Sequence, residues 1–283
     1  MRQSFAITAF LLICATASAE SPKLVKETHD YVPAMKKVSD KFKGTQGVVL
    51  HLGDSITYAN PYSQWARYGK GKTKRDIAVC RWMHTGAKNE TDGWYLCSVD
   101  RPGGRSETAA SGLRVNQFLR GGFRGLPSLQ EMLKKYNPQI VVLMLGTNDV
   151  SANRKVADYR KDMTKAVDLI LANGTIPILS TIPPHPGRLQ LSAEYNKVLR
   201  DLAKNRIIPV IDFEAEILKR RPKDWNGTLL GKNNVHPTAR QGGATPASEP
   251  TEENLRNSGY LLRSWLSVQK IAEVQERVLT SGK

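Results

Sequence analysis

Cysteine is scarce, with three residues in 283, at positions 14, 80 and 97. That excludes a small disulfide-dense fold and a multi-cysteine zinc module. Acidic residues are in deficit, 26 against 42 Lys and Arg, and leave a formal net charge of +16. Long apolar runs are also missing. The run FAITAFLLIC at residues 5–14 is well short of the ~20 residues that a membrane-spanning helix needs, so no transmembrane segment is expected. Aromatic residues make up only 7%. The basic stretches at 67–81, 101–124, 154–165 and 219–223 are not interleaved with them, which argues against single-stranded nucleic acid as a partner.

What is present begins with an export signal. Arg2 supplies a positive start, residues 5–14 an apolar stretch, and Ala17-Ser18-Ala19 the small-x-small pattern of a cleavage site. Cleavage after Ala19 predicts a secreted or periplasmic protein with its mature domain at 20–283. Cys14 leaves with the signal. Cys80 and Cys97 remain as an even pair in an oxidising compartment, where a disulfide between them is expected, two free and separately buried thiols being the alternative. An exported chain with this charge suits an anionic polymer or envelope better than nucleic acid. A solvated basic surface without a specific partner is the equally simple alternative.

The remaining 40% of hydrophobic residues is organised in alternating periods. Short apolar runs at 47–52, 139–145, 175–181 and 206–212 read as buried parallel strands. Between them, 156–172 and 190–205 carry apolar residues at helical spacing. The alternation predicts a three-layer α/β/α architecture, a doubly wound parallel sheet of about five strands. A short helix is expected around Val32, Met35 and Val38, and a terminal helix at about 254–279. Residues 60–105 read as an insertion into a single domain, rich in Gly, Trp and Tyr.

Three segments carry chemistry. Gly53-Asp54-Ser55-Ile56-Thr57 follows the first strand, where the carboxyl ends of parallel strands form a ligand crevice. A serine there can be a nucleophile, or simply a helix cap. Gly146-Thr147-Asn148-Asp149 follows the second run and could present an amide donor, or be an ordinary turn. Val235-His236-Pro237-Thr238 offers a general base, or a packed histidine. Each is weak alone. Their order along one chain and their place at equivalent strand ends make the joint signal strong.

With these blocks the sequence resembles the SGNH, or GDSL, hydrolase family, from about Gly47 to the terminal helix. The resemblance implies a serine esterase that needs no metal or organic cofactor. Ser55 would be the nucleophile and His236 the base. The oxyanion hole would comprise the backbone N–H groups of Ser55 and Gly112 and the Asn148 amide. Gly104 is the alternative to Gly112, while Asp54 and Asp149 look structural.

The family usually places Asp three residues before the histidine; here that residue is Asn233. Three readings stay open: a Ser–His pair oriented by Asn233, a substitute carboxylate such as Asp224, or a weakened descendant. The expected reaction is cleavage of carboxylic esters through an acyl-enzyme. The expected substrate is an O-acetyl or short-chain acyl ester of a carbohydrate, a small molecule or polysaccharide that carries negative charge. Two other readings compete. One is a silent carbohydrate-binding protein, suggested by Tyr62, Trp65, Tyr68, Trp82, Trp94 and Tyr95 in the 60–105 segment. The other is a metal-dependent phosphoesterase using Asp54, Asp149 and His236.

Overall fold

The computed structural model describes residues 22, 24–25, 27–86, 94 and 106–280. The expected signal segment, Cys97, Tyr95 and Gly104 lie outside the described residues, and so therefore does the Cys80–Cys97 pairing. Cys80 itself is a buried thiol, pushed up to about 12 by burial.

Among the described residues four parallel strands form the sheet: β1 (Val49–Gly53), β2 (Ile140–Met144), β3 (Ile176–Ser180) and β4 (Val210–Ile211), in spatial order β1-β2-β3-β4. Their registers pair Val49 with Ile140, Ile140 with Ile176, and Leu179 with Val210. Every residue of β1, β2 and β3 is buried, as continuous Val/Ile/Leu runs require when helices cover both faces.

The helices in chain order are α1 (Val32–Ser39), α2 (Ser55–Tyr58), α3 (Pro61–Tyr68), α4 (Lys74–Trp82), α5 (Val115–Arg120), α6 (Leu129–Tyr136), α7 (Thr147–Ser151), α8 (Val156–Ala172), α9 (Leu189–Arg206), α10 (Phe213–Arg220), α11 (Glu252–Leu255) and α12 (Gly259–Val274). They pack in two sets. α5, α6, α8 and α9 contact one another, and α3, α4 and α10 gather on α12.

Three expectations are adjusted. The fifth strand is reduced, among the described residues, to one parallel bridge between Gly53 and Ala109 on the outer edge of β1. Gly53 N donates to Thr108 O and Ala110 N to Gly53 O, both at 3.3 Å. The run at 206–212 yields only two strand residues. Arg206 still belongs to α9, Ile207 is left-handed at φ 53°, and Pro209 has no N–H to donate. The stretch 254–279 is divided. Thr251 caps α11 and Ser258 caps α12, each hydroxyl accepting a backbone N–H of its first turn.

The aromatic residues of the 60–105 segment are mostly core. Tyr62, Trp65 and Trp94 are buried. Trp94 lies 3.9 Å from the His51 ring, and Tyr62 packs edge-on to His51 at 5.3 Å. Of the six, only Tyr68 is strongly exposed among the described residues, at 71%. Three of the six aromatics considered for a sugar-stacking surface are therefore core residues.

Candidate active site

β1 delivers Gly53 to the carboxyl edge of the sheet. A Cβ there would sit 2.2 Å from Thr57 Oγ1 and 2.7 Å from Met144 O, so only glycine allows α2 to turn this closely against β2. Asp54 is extended and caps α2, with Oδ1 accepting from Ile56 N at 3.0 Å. Ser55 is the first helical residue and half-buried.

His236 Nε2 lies 2.8 Å from Ser55 Oγ. Its Nδ1 lies 2.6 Å from Asn234 Oδ1, which also accepts from His236 N at 3.0 Å. A carboxamide oxygen can only accept, so Nδ1 carries the hydrogen and Nε2 turns its lone pair to the serine. That is the tautomer a base needs. Partial burial holds the imidazole below its ordinary value of 6.5, because desolvation disfavours the cation.

The orienting residue is thus two positions before the histidine, not three. Asn233 makes no hydrogen bond to the ring among the described residues; Nδ1 is taken by Asn234. It is left-handed at φ 53° and paired with Asn226: its N–H donates to Asn226 Oδ1 at 2.7 Å, and Asn226 Nδ2 donates to its Oδ1 at 3.2 Å. The left-handed turn sends Asn233 away and brings Asn234 under the imidazole. Asp224 is not a substitute, since its carboxylate pairs with Arg221 at 3.0 Å.

Asn148 stands on the first turn of α7, directly after β2. Its Nδ2 donates to Asp54 Oδ2 at 3.1 Å and to Leu113 O at 3.2 Å. Asn148 and the Gly112–Leu113 turn are therefore drawn to the same end of β1 as Ser55. Asp149 secures this turn: Oδ2 accepts from Val115 N at 3.2 Å, while Oδ1 pairs with Arg154 at 2.6 Å. Gly112 is exposed and left-handed at φ 85°. Both hydrogens of the Asn148 amide are engaged within the protein. A developing oxyanion gains this donor only by displacing one of the two acceptors.

Two residues escaped the sequence reading. One is Asn234. The other is Arg263, only 3% exposed in the middle of α12. Its guanidinium donates to Ile56 O at 2.7 Å and Thr57 Oγ1 at 2.8 Å, and stacks 3.7 Å from the Tyr62 ring centroid. It makes no ion pair among the described residues. A charge inside the apolar run LLRSWLSV was the available signal, because buried cations are rare unless bound. Burial raises the Asp54 carboxyl to about 6, opposed by its bond from Ile56 N and by the Arg263 charge.

Among the described residues no three His, Cys, Asp or Glu side chains converge as a metal site would require. Asp54, Asp149 and His236 each have the separate partners given above. No described helix is long and apolar enough to cross a membrane.

The profile of the GDSL-like lipase/acylhydrolase family matches residues 51–241, from within β1 to beyond His236. The chain belongs to the GDSL-like lipase/acylhydrolase family. It is an SGNH-type carboxylic ester hydrolase, and its four-stranded parallel sheet between helices is the α/β/α fold of that family. No curated protein matches this hydrolase in sequence. Among solved structures, an acetyl esterase serine-to-alanine variant with acetate ion is similar. It has 18% identity and a TM-score of 0.51, over 80% of this chain and 98% of its own. A catalytic mutant of an acetylxylan esterase from Geobacillus stearothermophilus has 16% identity and a TM-score of 0.49, over 81% and 96%. The likeness to the acetyl esterase concerns the fold.

Proposed function

We propose that this GDSL-type hydrolase cleaves carboxylic esters through an acyl-enzyme on Ser55, acting as an exported O-acetyl or short-chain acyl esterase of carbohydrates. The observation that carries the proposal is the 2.8 Å contact of His236 Nε2 with Ser55 Oγ, with Nδ1 committed to Asn234.

In this reading His236 takes the hydroxyl proton as Oγ bonds to the ester carbonyl carbon. The carbonyl π electrons move to oxygen, and the oxyanion is met by the N–H groups of Ser55 and Gly112 and by Asn148 Nδ2. Loss of one such donor typically costs roughly 3–4 kcal/mol in barrier. The oxyanion collapses, the C–O bond to the alcohol breaks, and His236 protonates the departing alkoxide. Water then attacks the acyl-enzyme by the same route and releases the carboxylic acid. Asn234 positions the ring but cannot neutralise the imidazolium as a carboxylate would.

The exported location rests on residues 2–19, and a polymeric anionic substrate on the net charge of +16. A fluorophosphonate probe tests the chemistry. Labelling of the wild-type protein that disappears in Ser55→Ala supports it. Absence of labelling in folded wild type favours the silent binder, the reading that an amide in place of the usual carboxylate keeps alive. A series of model esters of rising acyl length tests the substrate. Preference for long chains over acetyl sinks the deacetylase reading.

A further inference from the structure

A cavity of about 500 Å³ opens beside the candidate oxyanion turn, lined by Tyr58, Ser106, Ala109, Ala110, Ser111 and the loop 124–126. Three observations tie it to the reaction centre. Tyr58 is on α2, one turn after Ser55. Ala109 and Ala110 flank Gly53. The Phe123 ring reaches within 3.6 Å of the space beside Gly112.

The loop holds an arginine where its backbone asks for glycine. Gly121, Gly122 and Gly125 are all left-handed, at φ 79°, 80° and 75°, and Arg124 joins them at φ 50°. A non-glycine residue there costs about 1 kcal/mol or more. Strain of this kind persists only where the surrounding structure holds it, and it is enriched at ligand-binding sites. The Arg124 guanidinium is exposed, lies 5.8 Å from the centroid of the neighbouring Phe123 ring, and has no acidic partner among the described residues. The Ser111 hydroxyl is likewise without a protein partner among the described residues.

We infer that this cavity is a subsite for the alcohol half of the ester and that Arg124 reads a carboxylate on it. The inference rests on the short-chain esterase reading: an acetyl group is too small to fill such a cavity, so its occupant is the alcohol. Apolar walls at Ala109 and Ala110 suit the body of a sugar ring. The Ser111 hydroxyl supplies a hydrogen bond, and the planar guanidinium a two-pronged grip on a carboxylate. The substrate class is thus an acylated acidic sugar rather than a neutral one.

The test compares mono-O-acetylated methyl glucuronoside as the free acid with its neutral primary amide, which differ by one charge. The wild-type enzyme is expected to favour the acid in kcat/KM by about ten-fold or more, mostly through KM. Added salt is expected to erode the preference. Arg124→Asn keeps a residue that tolerates left-handed backbone. It is expected to bring the acid-to-amide ratio near one, with Arg124→Lys in between. A ratio near one in the wild type, or one unchanged by Arg124→Asn, overturns the inference. Binding of the unacetylated methyl glucuronoside, followed by ligand-observed NMR, separates the two readings. If no ester is cleaved yet the acid binds, the amide does not, and Arg124→Asn abolishes the difference, the subsite stands while the esterase reading falls. Equal binding of acid and amide overturns the subsite.

Discussion

Ser55 and His236 are held by opposite means. The Ser55 turn is fixed from beneath by the core. Arg263 grips Ile56 O and Thr57 Oγ1, Asp54 caps the helix, and Gly53 lets it sit against β2. The His236 loop is fixed from the surface by amides: Asn226 against Asn233, Asn234 against the ring. Asn233 and Asn234 are exposed, whereas Asp54 and Arg263 are buried. The proposed nucleophile is therefore a matter of fold stability, and the proposed base a matter of local loop geometry. Changes on the first side should cost stability and activity together. Changes on the second should cost activity alone.

The sharpest division comes from the largest effect. His236→Ala is expected to lower kcat by about 10⁴-fold or more and to alter the unfolding free energy by less than ~0.5 kcal/mol. Ester turnover and urea titration measure the two. Arg263→Met should do the reverse in stability. It strands a buried carbonyl and hydroxyl and is expected to destabilise by about 2–5 kcal/mol, with kcat reduced and KM little changed. An Arg263→Met protein as stable as wild type breaks the comparison on its core side.

Substitution of Asn234 sharpens the loop side. Asn234→Ala should cost roughly 10–100-fold in kcat, less than the ~10⁴ seen when a protease triad loses its aspartate to a wrong tautomer, because Ser55 still faces the ring. Asn234→Asp tests the charge. His236 titrates below its ordinary 6.5, so its neutral form persists into mild acid and the acid limb of kcat/KM lies below that pH. A carboxylate at 234 favours the imidazolium, raises the titration point and moves the limb upward. An unmoved limb means the 2.6 Å contact is not maintained in solution. The smallest effect belongs to Asn233→Gly, which keeps the left-handed turn and the backbone N–H bond to Asn226 Oδ1 and loses only the bond from Asn226 Nδ2. It is expected to change kcat by less than about three-fold. If it outweighs Asn234→Ala, the two asparagines have been assigned in the wrong order.

This pair also marks where the sequence stopped being legible. The strands were readable because runs such as IVVLM have one solution when both faces are covered. The helix at Val156–Ala172 was readable from its period. Gly-Asp-Ser, Gly-Thr-Asn-Asp and Val-His-Pro-Thr were readable because strand ends converge on one edge. Counting back from His236 failed because spacing assumes a fixed backbone, and the left-handed residue at 233 exchanges which side chain faces the ring. The last strand shortened because Pro209 and the αL residue Ile207 interrupt an apolar run that composition alone treats as continuous. Arg263 is marked as a bound charge by the apolar run around it, but its role is not legible there. Its partners are a backbone carbonyl and a threonine some two hundred positions away, and no local pattern encodes them.

That distance has a consequence for the order of events in the life of the chain. The family match ends at residue 241, so every motif block has been synthesised before Arg263 exists. Until α12 arrives and docks, the turn carrying Ser55 lacks its anchor. A ribosome-bound chain would hold all the parts of the hydrolase without their alignment, and α12 acts as the closing latch on α2.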